Sequence, residues 1–429
     1  MLVRFLVPAN IRHNSGGNVY NARLTQGLRT LGVAVEVLGV DGSWPEASAR
    51  ERRRLGGLLG AWDPGADQPR VDLAPEMVTL VDGLIACGAP EELEYAAAAG
   101  QHTWVLQHMP SPSHPDGEGR ALRAAVGVIC TSSSAAASAK EKHGLRAGRV
   151  ALPGTEPSPV ASGSAPPHII AVAALLPNKD QLLTVGALAR LQDLAWTASL
   201  VGTDDADPAY AAQVRAAIAS YGLEGRMRVT GQLTGTALAD EWDRTDLSLL
   251  VSRAEAFGLV VTESLAHGIP VIVREGTGAV DALGLARGLA GRLDGGLDSE
   301  RDGERDGGTY AVPGAAVGLA GPGGNRTEGH GRGDSRPGVL AAVIRQWLVD
   351  ETVRAGWRAA ALAAREQLPG WDSTARNVLE ILGAPIEEAP AQEVPAQEVP
   401  AAETPPEESP PDETPAERMP TAAGTAGGQ

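Results

Sequence analysis

The sequence predicts an α/β chain built as two doubly wound, Rossmann-like domains with a cleft between them. Three observations carry that expectation. The first forty residues read strand, Gly-rich turn, helix, strand, the opening unit of a parallel sheet with crossover helices. A similar unit restarts near His168, after a Ser/Pro/Ala-rich stretch with the composition of a linker. The length of 429 residues suffices for two full cores. The expected boundaries are a first domain over 1–155, a linker over 156–167, and a second domain over 168–367 with a flexible insertion near 293–337. A closing helix over 368–383 and an acidic tail over 384–429 complete the chain.

Composition narrows the function classes. Hydrophobic residues make up 43%, as in ordinary globular proteins. The two cysteines, Cys87 and Cys130, lie in apolar, strand-like contexts and read as buried thiols rather than a bridge. Met1–Val7 is too short an apolar run for a signal peptide, and no stretch reaches the length of a membrane span, so a cytoplasmic location is expected. The formal net charge is −17, and Ile386–Gln429 alone carries ten acidic residues against one Arg. A body with a remaining charge of −8 offers no basic face for nucleic acid.

Taken in order, Met1–Pro8 reads as a buried first strand. Gly16 and Gly17 precede a helix with Leu24, Leu28 and Leu31 on one face, ended by Gly32. Such a glycine pair is either a simple tight turn or a place where backbone approaches a phosphate at a helix start. Val33–Val40 is a second strand. Arg50–Arg54 reads as a solvated helix face in preference to a membrane-docking one. Further strands are expected over Met77–Ile85, Trp104–Gln107 and Val126–Thr131, with serines at 132–134 capping the next helix.

After the linker, His168–Leu176 is a strand and Leu182, Leu183, Val185 and Leu188 mark a helix. Trp196–Gly202 is a strand, Val214–Tyr221 is helical, Met227–Leu233 is a strand and turn, and Pro270–Val273 is a strand. Helices follow over Gly338–Trp347 and Val353–Arg365, and a last one ends near Leu382, capped by Asp372 or Ser373. The Pro/Glu-rich tail has nothing apolar enough to fold.

The chemistry is expected between Val251 and Pro270. An apolar run over Asp246–Val251 reads as a buried strand, a Gly-containing loop follows, and a helical pattern opens near Leu259. Backbone N–H groups at such a helix start are free for phosphate oxygens, and Glu255 and Glu263 bracket it. The same spacing also fits an ordinary strand-to-helix connection with two solvated glutamates.

The words Glu-Ala-Phe-Gly and Thr-Glu-Ser-Leu-Ala-His-Gly-Ile-Pro, together with Lys179, Gly16-Gly17 and His108, resemble the nucleotide-sugar site of retaining GT-B glycosyltransferases of family 4. The resemblance implies transfer of a sugar from a UDP- or GDP-sugar to a small-molecule acceptor, with retention at the anomeric carbon and no obligatory metal or cofactor. It implies that Glu255 contacts the donor sugar, that Glu263 holds the ribose, and that amides around Phe257, Gly258 and Leu259 face the sugar and diphosphate. Gly16 and Gly17 would lie near the diphosphate. His108 would orient donor and acceptor, Lys179 would neutralise the leaving phosphate, and loops at Gly202 and Gln232 would surround the base.

One departure is plain: the family's arginine position falls on Ala174, and Arg253 is the residue that could supply the missing charge. That loss keeps open a catalytically impaired sugar-nucleotide-binding relative, and a GT-B-shaped epimerase is a further alternative. Acceptor, donor base and oligomeric state stay open. The Ala- and Arg-rich composition suits bacterial specialised metabolism.

Overall fold

The computed structural model describes residues 1–11, 15–61, 77–111, 113–145, 148–285, 312–319 and 335–383. The chain separates into two units, Met1–Ala389 and Pro390–Gln429, and the second lies outside the described residues. The expected acidic tail and most of the expected insertion near 293–337 lie outside them too.

The first lobe runs β1 (Leu2–Pro8), α1 (Gly16–Thr30), β2 (Ala34–Val40), α2 (Ala49–Leu58), β3 (Met77–Asp82), α3 (Gly83–Gly88), α4 (Pro90–Ala98), β4 (Thr103–Gln107), α5 (Pro115–Ala124), β5 (Gly127–Cys130), α6 (Ser133–His143) and β6 (Arg149–Val150). Its six strands are ordered β2-β1-β3-β4-β5-β6 and pair in parallel. The strands carry apolar residues on both faces, as a sheet covered by helices on each side requires. One face packs Val3, Phe5 and Leu80 against Tyr20, Leu24 and Leu28 of α1. The other packs Leu6, Val81 and Val105 against α2, α3, α4 and α5.

The second lobe runs β7 (His168–Val172), α7 (Gln181–Leu188), β8 (Thr197–Val201), α8 (Pro208–Ser220), β9 (Met227–Gly231), α9 (Gly235–Asp243), β10 (Leu247–Leu250), α10 (Leu259–Ala266), β11 (Val271–Arg274), α11 (Ala279–Leu285), β12 (Gly314–Val317), α12 (Arg336–Val349) and α13 (Glu351–Arg365). Its order is β12-β11-β10-β7-β8-β9, again parallel throughout. Trp196 and Trp347 are fully buried in the core beneath α7, α8 and α12. The last helix, α14 (Trp371–Ile381), returns to the first lobe, where Ala375, Val378 and Leu379 share a core with α1. Gly27 permits that approach: a Cβ added there would lie 2.7 Å from Ala375 Cβ.

Local chemistry explains the element ends. Ser48 and Glu51 close a capping box on α2, and Ser132 accepts from Ala135 N to start α6, as the serine run suggested. Gly32 adopts φ +83° just after α1. Several boundaries differ from expectation. The third strand stops at Asp82, whose side chain accepts from Leu84 N, so 83–85 open a helix instead. The strand expected to reach Leu176 stops at Val172, because the chain turns there into Pro177–Lys179. The helix expected from Val214 begins at Pro208, capped by Asp207. On α14 the cap position is Gly370; Asp372 and Ser373 fall inside the first turn. Among the described residues no helix is long and apolar enough to cross a membrane.

Candidate active site

Strand order determines where a ligand can enter. In the second sheet the order reverses between β7 and β10. At such a point the neighbouring crossovers leave on opposite faces and open a crevice beyond the strands' carboxyl ends. Lys179 follows β7 and Glu255 follows β10, so both arrive there, and Lys179 Nζ donates to Glu255 Oε2 at 2.8 Å. In the first sheet the reversal falls between β1 and β3, whose exits carry Gly16, Gly17 and Asp82.

The two lobes enclose a cavity of about 470 Å³. The first lobe contributes Gly16, Gly17, Tyr20, Asp82, His108 and Met109, and the second contributes Lys179, Glu255, Phe257, Gly258 and Leu259. A second cavity of about 340 Å³ takes in Glu263, Thr262, His267 and Trp242, with Arg23, Thr155 and Trp371 opposite. Leu259 lines both. Leu259 and Glu263 are four residues apart on α10, so one helix face serves both cavities.

The start of α10 is shaped by Gly258. It takes φ +87° as the N-cap, and a Cβ there would lie 2.8 Å from Leu250 Cδ2. It offers no side-chain cap, so the first amides of the helix are left for a ligand at the larger cavity. The loop after β11 braces this turn from behind: Gly278 N donates to Glu255 O at 2.7 Å.

Next to Lys179 in sequence, Asp180 anchors a second charge cluster. Asp180, buried and left-handed at φ 55°, accepts from Arg253 at 3.1 Å, Arg274 at 2.5 Å and Arg336 at 3.5 Å. Arg253 is therefore tied to Asp180 and borders neither cavity. The Ala174 carbonyl accepts from Gln181 Nε2 at 2.9 Å.

On the opposite wall, His108 Nε2 lies 2.8 Å from Asn21 Oδ1 and 3.4 Å from Asp82 Oδ2. Asn21 Nδ2 donates to the same Asp82 oxygen at 2.9 Å, and Leu84 N donates to the other at 2.9 Å. Burial works to raise the Asp82 carboxyl, but the bonds from His108, Asn21 and Leu84 prevail and hold it below the usual range. A Cβ on Gly17 would lie 3.3 Å from His108 Cδ2, so the glycine lets α1 and the imidazole meet.

Glu263 behaves differently. Its carboxyl is pushed up by burial, with no opposing cause.

Of the residues singled out from sequence, Gly16, Gly17, His108, Lys179, Glu255, Phe257, Gly258 and Leu259 come together in the larger cavity, and Glu263 borders the smaller. Gly202 and Gln232 border neither. Gly202 is needed for packing, since a Cβ would lie 1.9 Å from Ala173 O, and Gln232 is exposed after β9. Asn21, Asp82 and Asp180 escaped sequence reasoning as site residues. An Asn inside an amphipathic helix is a readable signal, because it must find a partner when buried. Nothing local marks Asp180. Among the described residues no group of three or more His, Cys, Asp or Glu side chains is placed to hold a metal ion.

Two facing parallel sheets with a site at both reversal points define a GT-B glycosyltransferase fold, and solved structures agree. HepE (Alr3699) of Anabaena, in complex with UDP and glucose, is similar over 89% of this chain and 99% of its own at 18% identity, with a TM-score of 0.60. The sucrose-phosphate synthase (tll1590) of Thermosynechococcus elongatus gives 89%, 98%, 16% and 0.62. The pneumococcal O-GlcNAc transferase GtfA, in complex with UDP and GlcNAc, gives 89%, 98%, 11% and 0.58. Identities this low speak to the fold. Residues 156–288 match the family model described as Glycosyl transferases group 1. A comparison with curated proteins found no match.

Proposed function

We propose that this protein is a retaining glycosyltransferase that moves a sugar from a nucleotide diphosphate sugar to a small-molecule acceptor, with no resident metal or cofactor. The observation that carries the reading is the Lys179–Glu255 pair, 2.8 Å apart at the start of α10 and facing His108 across the cavity. The donor diphosphate lies at the first amides of α10 with Lys179 beside it. Glu255 accepts from sugar hydroxyls and Glu263 from the ribose diol. The reaction breaks the bond between the anomeric carbon and the phosphate oxygen and forms one to the acceptor oxygen on the same face, and the acceptor hydroxyl's proton passes to the departing phosphate oxygen. Negative charge grows on the departing phosphate, and Lys179 and the helix amides are oriented in advance to stabilise it. The UDP bound by HepE and by GtfA favours a UDP-sugar among donors.

Ala174 supports a second reading, a sugar-nucleotide-binding relative of reduced activity, because one cation of the leaving-group site is gone. Release of UDP or GDP that depends on an added acceptor separates the two. A thermal-shift screen against UDP, GDP, ADP and TDP and their sugars tests the binding part: a ligand at 100 times its dissociation constant adds roughly 2.7 kcal/mol of stability. Shifts with no nucleotide, in wild type and in Glu263→Ala alike, would defeat both readings.

A further inference from the structure

In the first-lobe wall of the larger cavity, the central polar groups are already satisfied within the protein. Tyr20 donates its hydroxyl to Ala151 O at 2.9 Å, so it turns only its ring toward the cavity, edge-on to His108 at 5.3 Å. Both oxygens of Asp82 are taken, as described above. Gln107 donates to Met109 O at 3.0 Å and to Glu118, and Glu118 accepts from Ser111 N at 2.7 Å and from His143 Nε2 at 2.8 Å. These bonds hold the segment from Met109 to Ser111 from behind. Gly117 lets α5 approach Cys87, since a Cβ there would lie 2.5 Å from Cys87 O, and Gly119 leaves room for His143, whose Nδ1 would lie 2.7 Å from an added Cβ.

Pro45, Leu84, Cys87, Met109 and Pro110 beside the Tyr20 ring make the lining largely apolar, with Glu46, Ser111 and Ser113 as further polar members of it. Met109 is 49% exposed although it lines the cavity, so a ligand that covered it would remove apolar surface from water. Burial pushes the Cys87 thiol up to about 11, which keeps it neutral and adds to the apolar wall.

We infer that this wall is a preformed acceptor subsite for an uncharged alcohol with an apolar ring body, its hydroxyl presented at His108. Against this largely apolar wall a polyol would find partners only at groups such as Glu46, Ser111 and Ser113, and would leave most of its hydroxyls without partners on desolvation. The inference rests on the glycosyltransferase reading for the reaction, and adds the class of acceptor.

The test uses the full chain and three probes: 2-naphthalenemethanol, glucose and glucose 6-phosphate. Binding is measured first without donor, by fluorescence for the naphthyl probe and by calorimetry for the sugars. Transfer is then measured with UDP-glucose and GDP-mannose. The naphthyl alcohol is expected to bind at least ~10-fold more tightly than either sugar, with Met109→Glu weakening it by about 10-fold and Met109→Leu leaving it near wild type. Thermal melts of both variants establish that they are folded. Equal or tighter binding of glucose or its phosphate overturns the inference, as does unchanged naphthyl binding in folded Met109→Glu. Transfer to glucose without naphthyl binding overturns the acceptor class while the glycosyltransferase reading stands. Naphthyl binding without any donor-dependent transfer does the reverse.

Discussion

Lys179 and Glu255 leave neighbouring central strands of the second sheet and meet as an ion pair, Nζ to Oε2 at 2.8 Å, beside the uncapped start of α10. Both side chains are about a fifth exposed, so the pair is partly shielded from solvent. In the proposed donor complex a diphosphate would compete with Glu255 for the ammonium and a sugar would compete with Lys179 for the carboxylate, so the pair would hold each group in place until the donor displaced it.

Lys179→Ala is expected to lower turnover by about two orders of magnitude, the effect of losing one preorganised charge donor worth roughly 3 kcal/mol at the transition state. Glu255→Gln alone also slows transfer, and the double variant falls by less than the product of the two single effects, because the sites are in contact. Initial rates of nucleotide release for all four proteins check this. Turnover close to wild type in Lys179→Ala would remove Lys179 from its role.

Glu263 supplies a pH test. Its carboxyl is raised in the folded protein by burial, so the folded state binds the proton more tightly than the unfolded chain. Stability associated with this group is therefore full below the ordinary glutamate range and declines as pH rises from that range through the raised value. Glu263→Gln is expected to melt higher than wild type in neutral buffer, with the advantage shrinking toward acid pH. The same variant should show a smaller thermal shift with UDP or GDP. A lower melting temperature at neutral pH would contradict the assignment of a desolvated, unpaired carboxylate.

Asp82 has the opposite sign. Its folded carboxyl is held below the usual range, so its charge stabilises the fold above that range and the contribution is lost as pH falls through the folded value. Asp82→Asn should lose stability at neutral pH and converge on wild type in acid. It should also slow transfer, since the bond that orients the His108 ring is weakened. Parallel melts across pH, with transfer rates at neutral pH, check both statements.

Gly258→Ala tests the turn itself. The substitution places a Cβ at φ +87° and 2.8 Å from Leu250 Cδ2. The left-handed conformation alone costs about 1–2 kcal/mol. The expected outcome is a lower melting temperature together with weaker nucleotide binding, measured by thermal shift. Undiminished binding would mean that the α10 amides do not hold the diphosphate.

The fold was legible because parallel strands buried on both faces announce themselves as short Val/Ile/Leu runs, as in Val271–Val273 and Ile169–Val172. Boundaries slipped where side-chain caps, rather than periodicity, stop an element; Asp82 ends β3 in this way. Helices α3, α4, α5, α9 and α11 went unanticipated; α4 carries Leu93 and Tyr95 and α5 only Leu122 as large apolar residues, too few to mark an apolar stripe. At the site, Lys179, Glu255 and His108 were readable from motif words. The groups around them were not: Asn21, which pairs with His108, lies 87 residues away, and Arg336 lies 156 residues from Asp180. Pairings that distant are set by sheet order, which no local pattern encodes.

The return of α14 onto α1 has a consequence for biosynthesis. The apolar face of Leu24 and Leu28 emerges from the ribosome some 350 residues before Val378 and Leu379, which share its core. At roughly 5–20 residues per second, that interval is tens of seconds. During it the nascent first lobe lacks one wall, and its open α1 face is a natural client surface for chaperones. A chain cut short anywhere before Trp371 would lack the α14 residues that cover this face of α1.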